Sequence, residues 1–325
     1  MLLYILKRVL SAISVVFVAL VASFALFFLA PTDPAGVICG NRCTPERVAD
    51  IRSSLGLDEP PAEQITGYIK GIFAGRDFTN GGTVQHCDAP CLGYSYSLGQ
   101  PVTKLLAQAV PVTISVVIGA AVVYLFLGAL LGTMAAQRRG SPSDKLLMGS
   151  AITINSIPYF VFALLVALYV TVLPHPQYTS FLSNPIAWAG GLVAAWLTLG
   201  VTNTASYTRY ARASMIESLG QDFVRTARSK GISERRVVYR HGLRAALTPL
   251  ATIFGIDLAG QLTGALFTES IFGLPGLGVL TLRAFNQYDL PVLMGCVLLG
   301  AVVLVVMNLV VDIVYTFLDP RVRLG

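Results

Sequence analysis

The side chains best able to do chemistry in this sequence are four clustered cysteines, three histidines, a few polar groups inside apolar runs and one dense patch of positive charge. Cys39, Cys43, Cys87 and Cys91 form two C-x3-C pairs. Such pairs can close as disulfides or hold zinc, and an extracytoplasmic setting favours disulfides. Four cysteines allow three connectivities, so local loops and cross-links between the two pairs both stay open. Cys296 stands alone in an apolar run, where ordinary packing explains it. His86, His175 and His241 fall in loops far apart in sequence, and neither H-E-x-x-H nor the G-x4-G-K-[ST] phosphate loop occurs. No catalytic residue, metal set or ATPase site is expected in this chain.

Asp257 and Gln261 lie one helical turn apart and face the same way. With Asn203 in another apolar run, they are candidates for lining a translocation path. Interhelical hydrogen bonding is the competing reading. Asn308 and Asp312 repeat the spacing, and a structural role near the membrane interface suits Asp312 better. Carriers driven by ion gradients often set more ionisable residues in facing pairs. The scarcity here argues against such a carrier, which stays the alternative reading.

The positive patch is RTARSKGISERRVVYRH, residues 225–241. It holds six Arg and Lys residues in seventeen positions, whereas the whole chain has 23 in 325. No aromatic platform interleaves these charges, so nucleic acid is not the expected partner.

These groups must be positioned by membrane helices. The chain is 54% hydrophobic and 12% charged, with mean hydropathy +0.69, against roughly 25% charge in soluble domains. Val9–Ala30 runs 22 residues without a charge, about 33 Å as a helix, enough for a hydrocarbon core of roughly 30 Å. Its length argues against a cleavable signal peptide. Further apolar runs lie near 107–136, 146–173, 186–207, 247–268 and 291–318. Backbone groups in lipid must be satisfied internally, so helices are expected. The predicted fold is an all-α polytopic membrane protein with six transmembrane helices.

Charge sets the orientation. With the N-terminus in the cytoplasm, 16 of the 23 bases fall inside, among them Lys7, Arg8, Arg138, Arg139, Lys145, Arg321 and Arg323. Both termini are then cytoplasmic and 208–246 is the largest cytoplasmic loop. The positive-inside bias and anionic lipid alone could account for a basic loop there.

Three regions follow. Residues 1–30 hold the first span. Residues 31–100 form an extracytoplasmic insert between helices 1 and 2. Residues 101–325 carry five spans and an outer loop at 269–290. In the insert, ERVADIRSSLGL reads as an amphipathic helix with Val48, Ile51 and Leu55 on one face. QITGYIKGIFAG reads as a second helix, and GRDFTNGG as turn chemistry. Gly128-x3-Gly132 is a small-x3-small spacing that lets helices approach closely.

The basic loop reads as helix–glycine–helix. Ile216, Leu219, Phe223, Val224 and Ala227 form one apolar stripe. Gly231 suits a helix C-terminus, and Ser233 can cap a second helix with Glu234 in its first turn. A stiff element between two spans makes a lever.

At these residues the sequence resembles the permease subunits of bacterial ABC importers, whose cytoplasmic loop reads E-A-A-x3-G-x9-I-x-L-P. Arg225, Thr226 and Ala227 stand at E-A-A and Gly231 at the glycine. His241, Leu243 and Arg244 stand at the isoleucine, leucine and proline. RHGLRAALTP, ending at Pro249, is similar to the oligopeptide, dipeptide and nickel branch. So are ILKRVL, LLAQAVPVTISV, ESIFGLPGLGVL at 269–280 and DIVYTFLDPRVR at 312–323. The likeness covers the chain except 36–100.

The resemblance implies a multi-pass protein of the bacterial cytoplasmic membrane, with no cofactor of its own. It implies a second homologous permease, two ATPase subunits carrying ATP and Mg, an external substrate-binding protein, and peptide as cargo. Nickel and oligosaccharide are alternative cargoes. It places Phe223, Arg225, Thr226, Ala227, Lys230, Gly231, Arg235 and Arg236 against an ATPase. It also places Gly273, Pro275, Gly276 and Gly278 in a scoop-like external loop.

Overall fold

The computed structural model describes residues 2–28, 34–39, 44–55, 57–80, 83–263 and 265–318. Cys43 and the closing residues 319–325, with Arg321 and Arg323, lie outside them, as do the side chains of Lys7, Arg8 and Asp312.

In chain order the elements are α1 (Leu2–Phe28), α2 (Pro34–Cys39), α3 (Pro45–Leu55), α4 (Pro61–Ala74), strands β1 (Arg76–Asn80), β2 (Thr83–Cys87), β3 (Tyr94–Ser95) and β4 (Gln100–Pro101), then α5 (Val102–Gln137), α6 (Pro142–Ser156) and α7 (Tyr159–Tyr169). After these come α8 (Pro185–Leu219), α9 (Asp222–Ser229), α10 (Glu234–Arg236), a π-helical turn over Val237–Gly242, α11 (Leu243–Leu262), α12 (Leu266–Ile271), α13 (Leu277–Asn286) and α14 (Leu290–Leu318).

Among the described residues, four helices are long and apolar enough to cross a membrane: Val102–Gln137, Pro185–Leu219, Glu234–Leu262 and Leu290–Val310. The pair α6 and α7 makes a fifth if it counts as one span, bent by 92°. The bend divides the apolar run 146–173, read above as a single span, and Pro158 is its physical reason. Proline lacks an amide hydrogen and drives the preceding residue out of the helical region. Ile157 accordingly sits at φ −84°, ψ 124°. In α1 the described apolar stretch is the shorter Ile13–Ala25. The protein is a mostly helical polytopic membrane protein.

The all-α expectation needs one correction. The insert contains two antiparallel hairpins, β1 with β2 and β3 with β4. GRDFTNGG is therefore not all turn, because Arg76–Asn80 pairs with Thr83–Cys87 in register from Arg76↔Cys87 to Asn80↔Thr83. Five-residue strands with one exposed face leave little periodic signal.

The chain divides into two compact units. The first comprises Met1–Thr113 and Pro275–Val306. Here the insert builds its own core from Ala35, Ile38, Ile51, Phe78, Cys87, Cys91, Tyr94 and Tyr96. Val48 and Leu55 pack against it, so the apolar face read on α3 is the face it buries. Cys87 and Cys91 are joined in a disulfide, the local connectivity. Cys39 is also disulfide-bonded. Asp289 holds the insert to the rest of this unit: its Oδ2 accepts hydrogen bonds from the hydroxyls of Ser95 and Ser97, while its Oδ1 caps Val292 N–H at the start of α14. Burying Asp289 and Ser95 is tolerable because each has a partner.

On the rim of β1 and β2, His86 Nδ1 lies 2.6 Å from Asp77 Oδ1 and its Nε2 lies 3.5 Å from Asp88 Oδ1. The hydrogen bond to Asp77 raises the His86 pKa above its ordinary 6.5. A raised folded-state pKa stabilises the hairpin below the unfolded value, and that contribution fades as pH climbs through the folded pKa. An NMR titration of His86 should show a raised midpoint that Asp77→Asn returns toward 6.5. An unchanged midpoint in Asp77→Asn would remove Asp77 as the cause.

The second unit comprises Ile114–Leu274 and Met307–Gly325, and α8 packs with α5, α6, α7 and α11. Small residues let α5 and α8 meet backbone to backbone. A Cβ on Gly128 would stand 2.5 Å from Tyr207 Cβ, and one on Gly132 would stand 2.7 Å from the Thr208 carbonyl. The small-x3-small reading of Gly128 and Gly132 matches this approach. Gly132→Leu is expected to lower the detergent melting midpoint by about 5 °C or more. A thermal melt within 1 °C or so of wild type would show that the helices part without cost.

Candidate functional site

The basic run folds into a compact corner between α8 and α11. Helix α8 does not end near 207; it continues to Leu219 and breaks at Gly220–Gln221. The loop read as 208–246 therefore begins inside a long helix. The apolar stripe is split for the same reason: Ile216 and Leu219 belong to α8, while Phe223, Val224 and Ala227 belong to α9.

Helix α9 stops as its glycine demands. Gly231 has φ 72°, Ile232 N–H donates to Ala227 O at 3.3 Å, and Gly231 N–H donates to Arg228 O at 2.9 Å. This is the paired Schellman closure, with the third residue from the end and the second residue beyond it also in apolar contact. Ser233 stands at the N-cap of α10, as the sequence suggests, but its side chain makes no cap bond. Glu234 instead accepts two hydrogen bonds from Arg228, at 3.0 and 2.7 Å, bridging the glycine. Such an exposed pair adds about 0.2–1 kcal/mol.

The inner face of this corner is apolar. Val224, Ala227 and Val237 are buried together, with Leu219 and Ile232 against them. Met215, Val238, Ala246 and Ala136 form the next layer. Ser218 Oγ donates to Gly242 O at 2.8 Å, and a Cβ on Gly242 would stand 2.8 Å from Leu219 Cδ2. The end of α8, the glycine corner and the π-helical start of α11 thus share one packed core. Helix α9 packs on the end of α8 and on the turn that leads into α11.

The outer face is polar and positive. Phe223 is 46% exposed and Tyr239 43%. Arg225, Thr226, Lys230, Arg235, Arg236 and Arg240 are exposed, while Ala227 points inward. Arg225 lies 3.5 Å from Asp222, both well exposed. Among the described residues no ion pair joins Lys230, Arg235, Arg236 or Arg240 to an acid. The structure brings together all eight residues singled out in this loop, seven of them facing solvent.

Sequence reading passed over a neighbour. Arg212, two turns before the end of α8, donates Nε to Asp144 Oδ1 at 2.6 Å and a terminal nitrogen to Oδ2 at 2.7 Å. Asp144 is 3% exposed and opens α6, where Ser141 Oγ accepts from its amide and its own Oδ2 accepts from Gly140 N–H. The signal was present as S-P-S-D at 141–144, a hydroxyl followed three residues later by an acid. Its partner, 68 residues on, has no local signature.

The polar residues of the spans divide. Tyr207 donates its hydroxyl to Asp257 Oδ2 at 2.9 Å, and Gln261 lies one turn on. Asn203 is not part of that group; its amide donates to Leu199 O of its own helix. Asn308 is exposed on α14. Between α12 and α13, Gly273 has φ 65° and Leu274 N–H closes α12 by donating to Glu269 O. Pro275 and Gly276 lead into α13, and Gly278 sits in its first turn. Residues 272–276 separate the two helices, as glycine and proline require there.

Two family models match the chain. The one described as binding-protein-dependent transport system inner membrane component covers residues 128–324, and its N-terminal companion covers residues 1–117. A peptide transport system permease protein of Brucella abortus is 37% identical over 323 residues, 98% of each chain. A peptide ABC transporter permease protein of Sinorhizobium fredii is 33% identical over 324 residues, covering 98% of this chain and 99% of its own. The dipeptide transport system permease protein DppB of Escherichia coli is 32% identical over 331 residues, 93% of each. The bent and unbent spans, the glycine-closed basic corner between α8 and α11, and these matches along nearly all of the sequence agree: the chain belongs to the family of binding-protein-dependent transport system inner membrane components.

Proposed function

We propose that this chain is a six-span permease subunit of an ATP-driven importer of dipeptides or oligopeptides, with both termini in the cytoplasm. Relatives named for peptide and dipeptide transport, matched over 93–99% of their length, support the cargo class. The distribution of basic residues supports the orientation. The chain pairs with a second permease and two ATPase subunits, which carry ATP and Mg, and an external binding protein hands over the cargo at the 269–290 segment. No bond in the cargo is made or broken by this chain.

The observation that carries the mechanism is the two-faced basic corner. Its exposed Phe223 and unpaired bases suit a groove on a partner, and its buried face is continuous with α8 and α11. Closure of the ATPases on ATP binding presses α9, and the two long helices move with it. Asp257 and Gln261 line the path opened in this way. The charged rim adds orientation and encounter rate more than affinity. Cells lacking this chain should lose uptake of labelled dipeptide, and the detergent-solubilised protein should copurify with ATPase subunits in stoichiometric amounts. Normal uptake in the deletion strain would exclude the cargo; a lone protein driven by an ion gradient would exclude the class.

A further inference from the structure

Asp257 is the only ionisable side chain between Arg244 and Glu269, and it sits within a helix that crosses the membrane. A carboxylate at that depth costs several kcal/mol unless it is satisfied. Its hydrogen-bond donor is the Tyr207 hydroxyl, and among the described residues no Lys, Arg or His pairs with it. The residue is half-buried, so the carboxylate is not sealed into a core.

Its surroundings fix its position. Tyr124 is completely buried and its ring centroid lies 4.6 Å from that of Tyr207 and 6.2 Å from that of Phe254. This packing holds Tyr207, and Tyr207 holds the carboxylate. Gln261, one turn along α11, has a buried Oε1 with no hydrogen bond, and the buried hydroxyl of Tyr124 in the same group likewise has none. On one face, about 5–6 Å apart at Cβ, stand a carboxylate with one neutral donor and no countercharge, and an amide oxygen with no hydrogen bond. Buried polar atoms are rarely left so, and an exception asks for an explanation. An ammonium group offers three donors and the compensating charge.

We infer that Asp257 and Gln261 bind the α-ammonium group of the peptide during its passage, with Tyr207 as the positioning residue. This rests on the peptide-importer reading above. The group makes the path selective for a free amino terminus independently of the external binding protein. A monovalent metal ion shares the cationic chemistry and is separated by the test.

The test uses the complete importer in proteoliposomes with its binding protein and radiolabelled dialanine. Asp257→Asn should cut uptake about tenfold, with ATP hydrolysis within about twofold of wild type. Asp257→Glu should keep uptake within about threefold, and Tyr207→Phe should lower it about threefold with an unchanged melting midpoint. Replacing all Na⁺ and K⁺ by choline should change nothing. Wild-type uptake in Asp257→Asn, or an equal loss of uptake and ATP hydrolysis in both Asn and Glu variants, overturns the assignment. So does uptake by wild type that requires Na⁺ or K⁺, which makes this an ion site. If Asp257→Asn fails to assemble, Tyr207→Phe decides alone, and full uptake there overturns it. A wild-type complex that carries no dialanine overturns the peptide reading and this assignment with it, whereas wild-type transport with an indifferent Asp257→Asn overturns this assignment only.

Discussion

An Asp144→Ala variant should melt on the order of 10 °C below wild type in detergent, the largest stability loss expected from any polar substitution in this chain. The cause is the group left behind. Arg212 is only 25% exposed and would keep its charge with both donors unpaired. Losing one member of a buried pair leaves an uncompensated charge, whereas replacing both by apolar residues often costs little. Asp144→Leu combined with Arg212→Leu should therefore recover most of the loss. Thermal melts of the three proteins check this. A melt of Asp144→Ala within about 2 °C of wild type would show that water reaches Arg212 and that the pair contributes little.

Gly231→Val is expected to lower transport by about tenfold while ATP hydrolysis continues. Gly231 has φ 72°, and a Cβ there meets nothing within 4 Å, so the obstacle is the backbone and not space. A left-handed conformation costs a non-glycine residue about 1–2 kcal/mol, and most for a β-branched one. The Schellman closure would open, and α9 would lose its fixed angle to α10. Gly231→Asn serves as the control, since asparagine tolerates this region, and should transport within about twofold of wild type. Uptake and ATPase assays on the same proteoliposomes separate uncoupling from misfolding. Full transport by Gly231→Val would mean that the corner's geometry does not matter to coupling.

Local chemistry was the part most readable from sequence. Gly231 could be placed because a helix with an inward Ala227 needs a left-handed residue to stop it. The buried face of α3 followed from the spacing of Val48, Ile51 and Leu55. Gly128 and Gly132 carried the close approach of α5 to α8. What escaped depended on partners distant in sequence or on competing local signals. The stripe from Ile216 to Ala227 has helical period throughout, yet Gly220 and Gln221 break it and α8 alone runs 35 residues. The π-helical turn at Val237–Gly242 has no composition of its own; its last residue, Gly242, lies close against Leu219 of α8. Strands β1 and β2 are short, and β2 is exposed in all but its last residue, so their alternation is lost among polar residues. Asp144 has no local signal for its ion pair, because its partner Arg212 lies 68 residues on and is brought against it only by the packing of α8 on α6. Of the three path candidates, Asp257 and Gln261 share a face by their spacing, but nothing in the sequence separates Asn203, whose amide turns back onto its own helix.

The role given to the basic corner is open to direct measurement by cross-linking in the assembled complex. Single cysteines replacing Phe223 or Thr226, both on the exposed side of α9, should cross-link to the ATPase subunits, and the yield should change when ATP is added. Cysteines that stay fully open to a water-soluble maleimide in a complex actively hydrolysing ATP, with no cross-link formed, would contradict it.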